Sequence, residues 1–346
     1  MKKILAMLLA LVMILSLAAC ASTPAADTPA ESTSTTETPV TETPASAEET
    51  PAAEGKTYTV GVCQLVQHEA LDAATQGFVD ALTEELGDAV TIDVQNASGD
   101  SVNCGTIVNG FVSRGVDLIM ANATPALTAA VSATADIPIL GTSITAYGVA
   151  LDLDDFNGTV GGNVSGTSDL ADLQKQAQMI LDWFPETKNV GLLFCSAEPN
   201  SRYQIDEVRK ALEAQGVTCE EFAFTDSNDV SSVTQKAADF SDVVYIPTDN
   251  TAASNTEAIA NILIPAGVPA ICGEEGLCRG CGVATLSISY YDLGVTTGKM
   301  AAKILKGEAD ISEMPVEYTD ATPKYNASIC DQLGITPLDG YEAIDG

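Results

Sequence analysis

The sequence predicts an α/β protein built as two doubly wound parallel-sheet lobes, because it states one α/β unit twice. Tyr58-Thr-Val-Gly-Val62 opens the first half and Lys188-Asn-Val-Gly-Leu-Leu193 opens the second, about 130 residues later. Val116-Asp-Leu-Ile-Met120 runs into Asn122-Ala-Thr-Pro125, and Ser241-Asp-Val-Val-Tyr-Ile246 runs into Pro247-Thr-Asp-Asn250. Asp136-Ile-Pro-Ile-Leu-Gly141 is answered by Gly267-Val-Pro-Ala-Ile-Cys-Gly273. Two copies with polar loops at their strand ends suggest two similar lobes facing each other across a ligand cleft. That arrangement points to binding rather than to chemistry.

The first twenty residues read as a targeting segment. Lys2 and Lys3 precede the apolar stretch Ile4 to Leu17, which is too short for a comfortable membrane span. Leu17-Ala-Ala-Cys20 has the form of a bacterial lipobox, in which Cys20 is acylated and becomes the mature N-terminus. The alternative is an ordinary signal peptide whose cleavage site happens to precede a cysteine. Residues 21–55 are almost wholly Ala, Ser, Thr, Pro and acid, without an aromatic, Lys or Arg. Such a composition cannot bury enough apolar surface to offset its ordering entropy, so a disordered tether is expected. The product is expected to be exported, lipid-anchored on the outer face of the cytoplasmic membrane, otherwise soluble and monomeric.

From residue 56 the pattern is regular. Strands are expected at 58–63, 90–94, 116–121 and 137–141, with helices near 70–86, 101–114 and 125–134. The first helix is the best marked: Leu71, Ala74, Phe78, Ala81, Leu82 and Leu86 keep helical spacing, and Gly87 stops it. The second copy gives strands near 189–194, 218–224, 242–247 and 269–272, with helices near 201–215, 230–239 and 251–265. Strands alternating with helices imply a parallel sheet covered on both faces. Gly158 to Ser168 is too rich in glycine for either element and reads as a crossing between lobes, followed by a helix at 169–183. Leu286 to Ser289 reads as a strand, Tyr291 to Leu305 as a helix, and Pro315 to Tyr318 as a third crossing. The lobes are therefore drawn as 56–162 with 288–314, and 163–287 with 315–342.

The chain carries 48 acids against 15 bases, for a net charge of −33. So acidic a surface repels nucleic acid and anionic headgroups, and no basic cluster is present to overcome it. Of the nine cysteines, Cys63 and Cys195 fall on equivalent first strands and suit buried packing. Cys272 with Cys278-Arg-Gly-Cys281 is the only cluster. One CxxC without a second is a weak signal, open to free thiols, a local disulfide, a metal site or a redox role. No cofactor or metal is called for. With one histidine, and no nucleophile elbow, Walker loop or defensible triad, an enzyme is an unattractive reading.

In open α/β sheets ligands sit beyond the C-terminal ends of the strands. Those loops supply the candidates Gln67, His68 and Asp72; Ala123, Thr124 and Pro125; Ser143; Ser168 and Asp169; Asn200 and Ser201; Thr248, Asp249 and Asn250; and Glu275 with Gly276. Thr124 is read as an N-cap with Pro125 at the first helical position, where free N–H groups would stabilise a carboxylate. Asp249 could pair with an ammonium or merely cap its own helix. His68 stands equally as cleft wall or surface, Ser168-Asp169 as cap or contact, and Trp183 as core.

Several of these loops, taken in order, resemble one family. Gln64-Leu-Val-Gln-His68 with Ala70-Leu-Asp72, Ala123-Thr-Pro125, Gly161-Gly-Asn-Val-Ser-Gly-Thr-Ser-Asp169, Pro247-Thr-Asp-Asn250 and Glu275-Gly276 are similar to the lipoprotein substrate-binding components of ABC importers. Better-known members take up tryptophan and other aromatic amino acids. The resemblance runs through about 57–336. It implies a type I periplasmic-binding-protein fold, three hinge crossovers, closure on an amino acid, and delivery to a permease and ATPase. It also implies that the Ala-Thr-Pro loop and Ser168-Asp169 approach the ligand carboxylate while Asp249 takes the ammonium. Two departures stand out: Glu69 where the family usually has Pro, and Glu274-Glu275-Gly276 where Asp-Glu-Gly is usual. The same fold could hold a sugar or nucleoside, or serve as a sensing module for a membrane receptor.

Overall fold

The computed structural model describes residues 56–344. The targeting segment, the tether and Cys20 lie outside the described residues. The first half runs β1 (Tyr58–Gln64), α1 (Glu69–Leu86), β2 (Val90–Asn96), α2 (Ser101–Arg114), β3 (Leu118–Asn122), α3 (Thr124–Ala133), β4 (Ile139–Ile144), α4 (Tyr147–Ala150) and β5 (Val164–Ser168). The second runs α5 (Leu173–Trp183), β6 (Asn189–Cys195), α6 (Pro199–Glu213), β7 (Thr218–Phe224), α7 (Val230–Phe240), β8 (Val243–Ile246), α8 (Asn250–Ala253), α9 (Thr256–Ala266), β9 (Ala270–Cys272), α10 (Glu275–Cys281) and β10 (Ala284–Ser287). The chain then returns through α11 (Tyr290–Lys306), β11 (Glu317–Tyr318), β12 (Thr322–Tyr325), α12 (Ala327–Leu333) and β13 (Glu342–Ala343).

One sheet takes the order β11-β5-β4-β3-β1-β2 and the other β13-β12-β10-β9-β8-β6-β7. Each half thus places its first strand between its second and third, with Val60 opposite Ile92 and Leu118, and Val190 opposite Cys219 and Val243. The repeated motifs are equivalent strands in two sheets. All pairs are parallel except β10 with β12, and the central strands β3, β4 and β8 are buried along their whole length. That is why they read as continuous apolar runs rather than alternating ones.

The chain crosses between sheets three times, after Ser168, after Ser287 and after Tyr318. The stretch expected to be structureless ends in a strand: Val164–Ser168 pairs with β4 in the first sheet. Gly166, at φ 142, has no side chain to strike the Gly141 carbonyl and the Tyr147 hydroxyl it packs against. A glycine inside a strand marks such a close backbone approach. Glu317 and Tyr318 join the same sheet beside β5. Sheet membership therefore gives 164–168 and 317–318 to the first lobe, where the sequence boundaries had assigned them to the second.

Helix α11 belongs to the first lobe because α1 and α11 meet backbone to backbone. A Cβ at Gly77 would strike the Tyr291 carbonyl, and one at Gly294 the Ala74 carbonyl. Trp183 is core, edge-on to Tyr341 at 5.1 Å. The eight cysteines of the described part are free thiols, seven of them buried, including Cys272, Cys278 and Cys281. Among the described residues no cluster of His, Cys, Asp or Glu is poised to hold a metal, and no helix is long and apolar enough to cross a membrane.

Candidate functional site

The loops at the strand ends of the two sheets close on one small cavity. It is lined by His68, Leu71, Ser143, Thr145, Asp169, Asn200, Thr248, Asp249, Asn250, Ala253, Glu274 and Tyr290. The gap between the walls is narrow, with room for about one water molecule.

From the first lobe comes His68, the N-cap residue of α1, whose extended backbone (φ −161, ψ 167) frees its ring from capping. Its Nε2 lies 3.2 Å from the Asn250 Oδ1 of the other lobe. The Asn250 Nδ2 donates to Glu198 at 2.7 Å, so its oxygen faces the histidine. Nε2 therefore carries the proton. The opposite nitrogen, Nδ1, is buried without a partner. Burial holds the imidazole pKa below its ordinary value, against the Asn250 bond and the Glu198 and Asp72 charges.

Two backbone positions in this lobe are held at positive φ, Ala123 at 86° and Ser143 at 56°. Such conformations cost about 1–3 kcal/mol each and persist only where their surroundings impose them. Ala123, not Thr124, is the N-cap of α3, with no side-chain bond. The Ala123 N–H donates to the Thr142 carbonyl, so the helix starts one residue earlier than the sequence suggested and Thr124 sits inside its first turn. The Ser143 hydroxyl is buried and unpartnered. At the first crossing Ser168 donates to the Thr145 carbonyl at 3.0 Å and accepts from the Leu170 N–H, fixing the bend. Asp169 Oδ2 accepts from the Tyr290 hydroxyl at 2.9 Å, and Oδ1 has no partner. Burial pushes its carboxyl above the ordinary range, and the Tyr290 bond and the nearby Thr145 hydroxyl work against that.

The second lobe contributes carboxylates that are already engaged. Asp249 Oδ1 caps α8 through the Ala252 N–H at 2.8 Å, while Oδ2 accepts from the Cys195 N–H at 2.6 Å and the Ser201 hydroxyl at 2.7 Å. Burial, and then the neighbouring Glu198, push it up to about 8. Glu198 accepts from the backbone and side chains of both Asn250 and Thr251 and from the Asn200 amide. Asn200 Nδ2 also donates to the Thr248 carbonyl at 3.0 Å, and its Oδ1 is left buried without a partner. Glu274 caps α10 through the Gly276 and Leu277 N–H groups. Burial pushes it up to about 7, with Glu69 and Glu275 adding to the effect.

Of the candidate residues, the structure brings His68, Ser143, Asp169, Asn200, Thr248, Asp249 and Asn250 to the cavity wall. Gln67 and Gly276 line a neighbouring cavity that shares His68, Ala253 and Glu274 with it, and Pro125 lines the wider opening beyond Asn250. Asp72 accepts from Gln64 at 2.6 Å; Ala123, Thr124, Ser168 and Ser201 stand behind the wall. Glu275 gives its oxygens to Arg279 and Lys324, and the adjacent Glu274 faces the cavity in its place. Glu198 and Tyr290 were not among the candidates read from the sequence, and Glu274 stood there only as a departure from the family pattern. The acid immediately before the Pro199 helix start was the available signal for Glu198.

Residues 59–340 match the model of one family, described as ABC transporter substrate binding protein. The chain belongs to that family. The substrate-binding protein is also 33% identical over 284 residues to a Tyrosine-binding protein of Clostridioides difficile (strain R20291), spanning 80% of this chain and 81% of that one. It is similar to the ABC domain solved in complex with L-Trp from Streptococcus pneumonia, with 33% identity, a TM-score of 0.79, and coverage of 84% of this chain and 100% of that one. A ligand-free, open substrate binding protein with adhesive properties from Clostridium difficile is 34% identical but superimposes at a TM-score of 0.64, over 84% of this chain and 99% of that one. This substrate-binding protein has its lobes together, as the His68 to Asn250 bond across the cleft requires.

Proposed function

We propose that this protein is the extracytoplasmic binding component of an ABC importer for an amino acid, with an aromatic side chain as the first choice. The observation that carries the reading is an unmet demand for donors. His68 Nδ1, Asp169 Oδ1 and Asn200 Oδ1 are buried acceptors without partners in a wall that contains three carboxyls and no Lys or Arg. An ammonium brings three N–H donors and the positive charge that the wall lacks. The donors already on Asp249 leave Asp169 Oδ1 as the direct ammonium acceptor, with Asp249 nearby as a carboxyl whose ionised form the ammonium would favour. The Ser143 hydroxyl, buried on the wall without a partner, is the group offered to the ligand carboxylate.

A sugar or nucleoside would supply donors but no charge against Asp169, Asp249 and Glu274, which favours the amino acid. The Tyr- and Trp-binding relatives support the aromatic choice. Within the same reading Cys20 carries the lipid, residues 21–55 form the tether, and the loaded protein docks on a permease and its ATPase.

The test is a thermal-shift panel on residues 56–346, refolded to remove carried-over ligand, against Tyr, Trp, Phe, other amino acids, sugars and nucleosides. A ligand at a thousandfold excess over Kd adds about 4 kcal/mol to stability. Aromatic amino acids are expected to raise the melt by several degrees. Silence with amino acids and a response to a sugar or nucleoside would overturn the ligand while leaving the family intact.

A further inference from the structure

His68 faces both the cavity and the opposite lobe with hydrogen-bonding atoms of known direction. It leaves the end of β1 in the first lobe, and its ring does not cap α1. Nε2–H reaches Asn250 Oδ1 at 3.2 Å, 182 residues away in the second lobe. Asn250 is itself fixed, its Nδ2 and its backbone N–H both held by Glu198. The grip thus falls on a rigid part of the second lobe rather than on a free side chain. The other nitrogen, Nδ1, is buried and has no partner.

We propose that His68 couples ligand capture to lobe closure, with Nδ1 accepting a donor from the ligand while Nε2–H holds Asn250 across the cleft. Closing the lobes on an empty cavity strands Nδ1, and an unpaired buried acceptor is costly. Closing on a ligand donor completes it. A ligand shifts a conformational equilibrium only by its differential affinity for the two states, and this nitrogen supplies such a difference. The donor's identity as an ammonium rests on the amino-acid reading; the bridge to Asn250 does not.

Two isosteric variants separate the two nitrogens. His68→Gln keeps a donor where Nε2 stands and loses the Nδ1 acceptor. His68→Asn keeps an acceptor where Nδ1 stands and cannot reach Asn250. Calorimetric Kd for tyrosine and the radius of gyration from small-angle X-ray scattering, with and without ligand, are measured on proteins whose melts match the wild type. His68→Gln should bind about 10- to 100-fold more weakly yet compact fully at saturation. His68→Asn should be less compact than the wild type at saturation and should release ligand faster. Equal losses in both variants with wild-type compaction would show mere packing and overturn the proposal. A wild type that compacts with no amino acid would remove the amino-acid reading. The coupling would then be decided with the sugar or nucleoside that does compact the wild type, where a His68→Asn variant that compacts equally overturns it.

Discussion

The two walls of the cleft are built from similar loops but are finished differently. In the second lobe every carboxylate is engaged: Asp249 holds three donors, Glu198 binds both residues that open α8, and Glu274 caps α10. In the first lobe and at its hinge the wall is unfinished, with His68 Nδ1, Ser143 Oγ and Asp169 Oδ1 unpartnered and Ala123 and Ser143 held at positive φ. Equivalent strand ends have thus divided the labour. One lobe presents carboxyls already held by donors, with Asn200 Oδ1 as its open atom, and the other keeps most of the atoms that a ligand must complete.

The comparison breaks most sharply at the two aspartates. Asp249→Ala should strip three buried donors at about 1–3 kcal/mol each, lower the melt by roughly 10 °C, and abolish binding. Asp169→Asn should leave the melt within a few degrees and weaken tyrosine binding roughly 10- to 150-fold, the worth of a charge-assisted bond. Calorimetry and thermal melts on both variants decide it. If Asp249→Ala binds normally, or Asp169→Asn melts lower than Asp249→Ala, the division between the walls is wrong.

The raised carboxyls of Asp249 and Glu274 sharpen the same contrast through pH. Below their unfolded values near 4 both states are protonated and the contribution to stability is fully present. Between there and about 7 for Glu274 or about 8 for Asp249 the native state binds more protons than the unfolded one, so stability falls as pH rises. Ligand-free protein is expected to melt several degrees lower at pH 9 than at pH 5. A saturating amino acid should flatten that slope, because its ammonium favours the ionised carboxyls. Parallel slopes with and without ligand would place the ammonium away from these groups.

The smallest effect is expected at the rim. Arg279 on α10 reaches Glu69 at the head of α1 at 2.9 Å and 3.1 Å, a bridge between lobes whose side chains are 35% and 50% exposed. Exposed pairs are worth about 0–1 kcal/mol, so Glu69→Gln should raise Kd no more than about fivefold. The difference should vanish near 1 M salt, where screening acts over about 3 Å. A loss that persists at high salt would move Glu69 from the rim into the binding wall.

Much of this was legible in advance, and the particular failures have physical causes. The helix at Glu69–Leu86 and the paired strand runs could be read because apolar spacing is local and repeats within a few residues. Val164–Ser168 was missed because its glycine serves a contact with Gly141 rather than a turn. Thr124 was taken for a cap because Ala123 lacks any capping atom, and only the strained backbone shows where α3 begins. Glu275 and Glu274 are identical in type and adjacent in sequence; which one faces the ligand depends on Arg279 and Lys324, which draw Glu275 outward.

The sequence by itself determined the two lobes, their doubly wound sheets, the acidic loops and the family, since these follow from patterns carried along the chain. The tertiary structure decided which carboxyls are already engaged and which atoms remain open. Those outcomes depend on partners far apart in sequence, Glu198 with Asn250 and His68 with Asn250. A hydrogen bond is settled by distance and direction, and no spacing of residues along the chain encodes either for groups that meet only when two lobes close.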